Sequence, residues 1–300
     1  MENRKAWIAV MIICVIWGTT YLFLKIGVGE MAPFQFSGIR QVIAGSLLFA
    51  GLTVSGKFKR TGIENILKQS FAGFLMITIG NGLVAYGEVN VPSSMAAVIC
   101  ASMPVWVSII NIFSPGAIKL TWVGYFSVLL GIGGLLWLFS DSIAGFGDPQ
   151  YLIGALLILI ATFGWIGGSY IIKRGSKNTD PFLNTSIQMF AGGIGLLIIS
   201  FITGEDHTFN FSSAGWFSMI YLILFGSILA MLAYSYALKF LPMPIVSVYA
   251  YINPIVAIIL GWIILDEKMS WNMLGACLIV IFSVLLLNQP VSKHKNPIIK

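Results

Sequence analysis

Long apolar stretches alternate along this chain with short breaks marked by charge, glycine or proline. A helix needs about 20 apolar residues to cross a bilayer's hydrocarbon core. Windows of that kind fall near 6–27, 33–53, 70–89, 93–113, 121–140, 151–172, 182–203, 215–238, 243–264 and 270–287. The runs are continuously apolar rather than alternating, so they predict helices and not the strands of a barrel. The pattern therefore specifies an all-α integral membrane protein with ten transmembrane helices.

The pattern also repeats. Shifted by 148 residues, the stretch from Trp17 to Phe49 lies on Trp165 to Leu197 without a gap. Trp17 then matches Trp165, Lys25 matches Lys173, Gly27 matches Gly175, Pro33-Phe34 match Pro181-Phe182, and Gly45 matches Gly193. A second stretch aligns at a shift of 150, pairing Pro92 with Pro242, Val98 with Val248, Pro104 with Pro254 and Ile109 with Ile259. Half-chain periods of this kind mark membrane transporters. The division predicts two five-helix repeats, 1–146 and 147–300. Five is odd, so the second repeat must be inverted relative to the first, with a natural binding site in the midplane crevice between them.

Composition agrees, with 58% hydrophobic residues, 9% charged residues and a mean hydropathy of +0.92. The net charge of +6 would suggest a nucleic-acid surface if it were clustered on one face. It instead follows the loops. With the amino terminus inside, Arg4, Lys5, Lys57, Lys59, Arg60, Lys68, Lys119, Lys177 and the tail lysines fall on the inner side, while the acids Asp141, Asp148, Glu205, Asp206, Asp266 and Glu267 fall outside. This is the positive-inside rule, and it predicts both termini in the cytoplasm, no nucleic-acid partner and the lipid bilayer as the surrounding phase. Arg4 and Lys5 precede an apolar run with no small-x-small cleavage site, so a retained first helix is expected. Cys14, Cys100 and Cys277 lie inside predicted helices without ligand spacing. Free thiols, no metal site and no cofactor are expected.

Several polar or aromatic residues sit where lipid-facing helices would not place them. Trp17 and Thr20 fall mid-span in helix 1, and Trp165 is the repeat partner of Trp17. They read either as aromatic walls for a substrate or as close helix packing. Arg40 is a basic residue deep in a span, and a charge there is costly enough that it should face a wet cavity or act as a staple. Helix 3 carries Asn81, Tyr86 and Glu88, the last a candidate partner for Arg40 or a coupling group. Pro104 and Pro254 remove a backbone bond in mid-helix, which makes helices 4 and 9 candidates for kinked, cavity-lining elements. Tyr249 and Asn253 precede the second of these prolines. Tyr234 and Tyr236, near the inner end of helix 8, read as interface anchors. The apolar runs of helices 5 and 10 suit peripheral packing or self-association into a homodimer.

Trp17-Gly18-Thr19-Thr20-Tyr21, the Gly38-Ile39-Arg40 step, Val91-Pro92-Ser93-Ser94-Met95-Ala96-Ala97 leading to Pro104, and Asn253-Pro254 followed by Asp266-Glu267 resemble the drug/metabolite transporter superfamily, specifically its EamA-like family. The resemblance spans nearly the whole chain. It implies ten helices from an inverted duplication, cytoplasmic termini in the plasma or inner membrane, and transport, commonly export, of small organic metabolites such as amino acids. It also implies a central cavity lined mainly by helices 1, 3, 4, 6, 8 and 9. Asp266-Glu267 has no counterpart after helix 4, where Pro115-Gly116-Ala117 stands.

The reading that follows is a secondary transporter of a small-molecule substrate by alternating access, not an enzyme. Trp17, Thr20, Asn81, Tyr86, Trp165, Tyr249 and Asn253 are its candidate substrate contacts, and Arg40, Glu88, Pro104 and Pro254 its candidate coupling or gating residues. A channel would need an open polar pore. An intramembrane enzyme would need a nucleophile and base converging at one depth, and a nucleotide-sugar-type carrier more Lys or Arg in the spans for phosphate.

Overall fold

The computed structural model describes residues 2–112, 122–144, 149–175, 179–208, 211–241, 246, 249–268 and 270–287. Pro242, Val248, Lys119, Lys177, the tail lysines and the boundary at 146 lie outside them. The described residues form ten helical rods: α1 (Glu2–Val28), α2 (Pro33–Val54), α3 (Ile63–Glu88), α4 (Ser93–Ala101 and Met103–Ile112), α5 (Trp122–Ala144), α6 (Pro149–Gly175), α7 (Pro181–Ile202), α8 (Ser213–Phe240), α9 (Tyr249–Leu265) and α10 (Trp271–Leu287). Seven are long and apolar enough to cross a membrane, and the other three contain shorter apolar helices. This is an all-α membrane protein.

Boundaries follow local chemistry. Pro33 and Pro181 sit in the first turns of α2 and α7, where a missing N–H costs nothing. Asp180 caps α7 by accepting from the Phe182 and Leu183 amides. Helix α3 starts at Ile63, earlier than the apolar window at 70, because Glu64, Asn65 and Lys68 occupy a polar first turn. Lys68 therefore belongs to a helix and not to a loop. At Pro104 the chain breaks: α4 is interrupted at Ser102, whose hydroxyl donates to the Ile99 carbonyl at 2.6 Å. Helix α9, by contrast, passes through Pro254 without interruption, so only one of the two proline-bearing helices is split.

Two further features have no signature in the residue pattern. Helix α3 widens into a π turn at Phe74–Asn81 and α8 into another at Leu222–Leu229, positions 148 apart. Turns of this type are rare and often accompany functional sites.

Packing pairs elements across the two halves. Among the most extensive contacts are α3 against α6 and α2 against α7, and the latter two run antiparallel: Gly38 lies against Leu197, and Gly45 against Phe190. A methyl group on Gly45 would meet the Phe190 amide nitrogen at 2.6 Å, and one on Gly193 would meet that of Val42 at 2.7 Å. The repeat-matched glycines thus let the two backbones touch, and Ser186 secures the crossing by donating to the Gly45 carbonyl at 2.8 Å. Helices α5 and α10 pack mainly on each other and expose Phe126, Leu129, Leu136, Leu278 and Phe282.

Three glutamates from loops tie one end of the molecule together, each reaching from one half to a helix start in the other. Glu30 accepts from the Ser212 amide and hydroxyl at the start of α8 (2.8 and 2.6 Å). Glu205 accepts from the Phe34 and Gln35 amides of α2 (3.0 and 2.9 Å). Glu267 accepts from the amides and hydroxyls of Ser93 and Ser94 at the start of α4, over 2.5–3.1 Å. A carboxylate on exposed helix N–H groups complements both the unsatisfied donors and the helix dipole. Lys25 does the converse, donating to the carbonyls of Glu88, Val89 and Val91 where α3 ends.

Candidate functional site

A cavity of about 120 Å³ lies where α1, α2, α3, α4, α6, α8 and α9 meet. That is room for about four water molecules at their share of liquid volume. Helix α2 joins the six helices expected to line it. The two π turns border it through Gly80 and Asn81 on α3 and Gly226 on α8. Cys100 and Met103 reach it on either side of the break in α4, and Tyr249 and Asn253 just before Pro254 in α9.

The aromatic wall centres on Trp17. Its indole meets Trp165 edge to face, with centroids 5.4 Å apart and planes at 86°, and meets Tyr249 the same way at 4.9 Å. Such pairs add to what burial alone contributes. Tyr234 completes the cluster at 5.1 Å from Trp17, with its hydroxyl 3.0 Å from that of Ser169. At 1% exposure Tyr234 is a core residue and not an interface anchor. Tyr236 instead meets Phe240 at a tilt, with centroids 4.7 Å apart.

The two tryptophans use their N–H groups differently. That of Trp17 donates to the Gly226 carbonyl in the α8 π turn, and that of Trp165 has no partner among the described residues. Thr20 and Thr162, also on the wall, donate to the Trp17 and Leu159 carbonyls of their own helices. With its amide oriented to satisfy its neighbours, Asn253 donates to the carbonyls of Cys14 and Tyr249.

Arg40 reaches the cavity from α2 and is 6% exposed. Its Nε donates to the Ser227 hydroxyl at 2.8 Å. Arg40 and Glu88 are near enough for their charges to interact but share no hydrogen bond: both Glu88 carboxylate oxygens are buried without a hydrogen-bond partner among the described residues, and Glu88 is not on the cavity wall.

Of the expected substrate contacts, the structure brings Trp17, Thr20, Asn81, Trp165, Tyr249 and Asn253 together on one wall, with Arg40 beside them. Tyr86 stands apart, 42% exposed and stacked on Phe34 at 5.4 Å. Pro104 and Pro254 do not line the cavity. The wall also holds Tyr21, Gln41, Thr162 and Met231, which sequence reasoning did not single out as contacts. Thr162 was within reach, one helical turn before Trp165 on the same face.

The EamA-like transporter family profile matches residues 4–140 and again 152–289. An uncharacterized inner membrane transporter of Escherichia coli (strain K12), YedA, is 36% identical over 285 residues, covering 93% of this chain and 89% of its own length. An uncharacterized transporter of Bacillus subtilis (strain 168), YoaV, is 24% identical over 97% of this chain and 99% of its own. The WAT1-related protein At3g02690, chloroplastic, of Arabidopsis thaliana is 27% identical over 91% of this chain and 67% of its own. One crystal structure, 16% identical in sequence, is similar in fold, with a TM-score of 0.70 over 95% of this chain and 97% of that one.

Proposed function

We propose, because this chain belongs to the EamA-like transporter family, that it is a secondary transporter of the inner membrane that exports small organic metabolites, such as amino acids, by alternating access. The observation that carries this reading is the position of the cavity. It lies where repeat-matched helices of the two halves converge, and repeat-matched Trp17 and Trp165 touch on its wall. The antiparallel crossing of α2 and α7 supports inverted halves, whose rocking about their seam would present one site to each side in turn. The distribution of lysine and arginine, taken with inverted halves, supports cytoplasmic termini on this reading.

On this reading Trp17, Thr20, Asn81, Trp165, Tyr249 and Asn253 contact the cargo. Pro104 and Pro254 set the curvature of the helices that carry part of the wall. Glu88 lies off the wall, so a role for it in coupling would be exerted through Lys25, the neighbour that bonds its backbone carbonyl.

The test is flux of a radiolabelled amino-acid panel in proteoliposomes. A carrier gives saturable flux that is accelerated by unlabelled cargo on the opposite side. Conductance that never saturates would identify a channel and end this reading.

A further inference from the structure

We propose that Arg40 is the recognition group for a carboxylate on the cargo, so that the cavity selects small organic acids and zwitterions with an apolar body over uncharged amides and simple amines. The inference rests on the cavity being the cargo site and goes further by assigning its chemistry.

Arg40 is a buried cation fastened on one side only. Its Nε is committed to the Ser227 hydroxyl at 2.8 Å. The two terminal nitrogens carry four more N–H donors, and these have no hydrogen-bond partner among the described residues, although the side chain is on the cavity wall. Among the described residues the wall holds no aspartate or glutamate. The buried acid in this region, Glu88, acts on Arg40 through its charge only, since its carboxylate has no hydrogen-bond partner among the described residues and lies off the wall. A guanidinium in a low-dielectric setting is stabilised by an anion that meets its flat fork with two parallel bonds, and no described residue makes that contact.

The surroundings set the rest of the ligand. Gly226 lies beside the guanidinium: a methyl group on it would stand 3.7 Å from an Arg40 terminal nitrogen and 2.9 Å from Thr20 Cγ2. Space at that end therefore depends on a residue without a side chain. Much of the remaining wall is apolar and aromatic, from Trp17, Trp165, Tyr249, Met103 and Met231, with the Trp165 N–H, unbonded among the described residues, as an additional donor. One charged group on a wall of this kind matches a molecule that carries a carboxylate on a hydrophobic body.

The test uses the purified full chain and two matched pairs of probes, phenylacetate with phenylacetamide and leucine with leucinamide. Calorimetric titration in detergent should show each carboxylate binding about tenfold or more tighter than its amide, the range expected for hydrogen bonds to a charged group. Arg40→Gln should erase that ratio, while Ser227→Ala, which keeps the charge, should retain it. Equal binding of acid and amide by the wild-type protein, or no binding of either carboxylate, overturns the assignment without any variant having to fold. An unchanged ratio in folded Arg40→Gln overturns it too. Flux in proteoliposomes separates the two readings. Carboxylate-selective binding with no saturable flux supports the assignment and removes the carrier, whereas saturable flux of amides as fast as acids keeps the carrier and removes the assignment.

Discussion

Trp17 donates its indole N–H to the Gly226 carbonyl, 3.4 Å away in the π turn of α8. Its repeat partner Trp165 keeps the same group unbonded. Two positions that match in the sequence are therefore chemically different in the folded chain, one fastened and one free.

This difference separates two conservative variants. Trp17→Phe removes a buried hydrogen bond, and we expect a loss of about 1 kcal/mol, read as a lower melting temperature in detergent. Trp165→Phe breaks no bond, so we expect its melting temperature to stay within a degree or two of wild type while cargo affinity falls.

The glycine crossing of α2 and α7 gives a second prediction. Gly45→Leu or Gly193→Leu drives a side chain into the partner backbone. Overpacking ordinarily costs about 1–3 kcal/mol, and a backbone cannot turn aside as a side chain can. We expect little folded protein by size-exclusion chromatography. Gly51→Ala, also on α2 but with nothing within 4 Å, should be recovered at wild-type yield.

On the cavity wall, Asn81→Ala should lower saturable flux severalfold, as loss of a single polar contact worth about 1 kcal/mol implies. Tyr86→Ala should leave flux unchanged, since that ring stacks on Phe34 away from the wall. Equal loss in both would show that the wall is not where cargo binds.

Glu267 accepts four hydrogen bonds from Ser93 and Ser94. A hydrogen bond to a charged group contributes about 1.5–3 kcal/mol net of its exchange with water. We expect Glu267→Ala to free the start of α4, detected as faster amide hydrogen exchange at residues 93–97 and slight change in α2. Glu205→Ala should show the reverse, with α2 loosened and α4 unaltered.

The helices and their duplication could be read from the sequence because both depend on local signals. Apolar runs report spans, and the Trp17/Trp165 and Pro33/Pro181 matches report common ancestry of the halves. The central aromatic pair could be read for a related reason: a tryptophan in mid-span has few comfortable places other than a protein interior. What failed depends on neighbours. Depth suggested an interface role for Tyr234, but the ring is enclosed because α1, α6 and α9 pack around it. The spacing of Tyr86 from Pro92 fixes its height and not its face. The π turns leave no compositional mark: the one in α3 packs against α6 and α7, the one in α8 against α2 and α1, and those neighbours are distant in the sequence. Glu267 looked like an isolated loop acid because its partners lie more than 170 residues away in the chain.

The two rims of the bundle are held by unlike chemistry. Glu30, Glu205 and Glu267 fasten one rim through ionised groups, whereas the halves meet near the other through neutral amides, Asn65 to Asn184 at 2.9 Å and Gln188 to Gln69. Prising the bundle apart thus has a grain: one rim yields only when anions are torn from helix starts, and the other when a few dipoles swap partners for water.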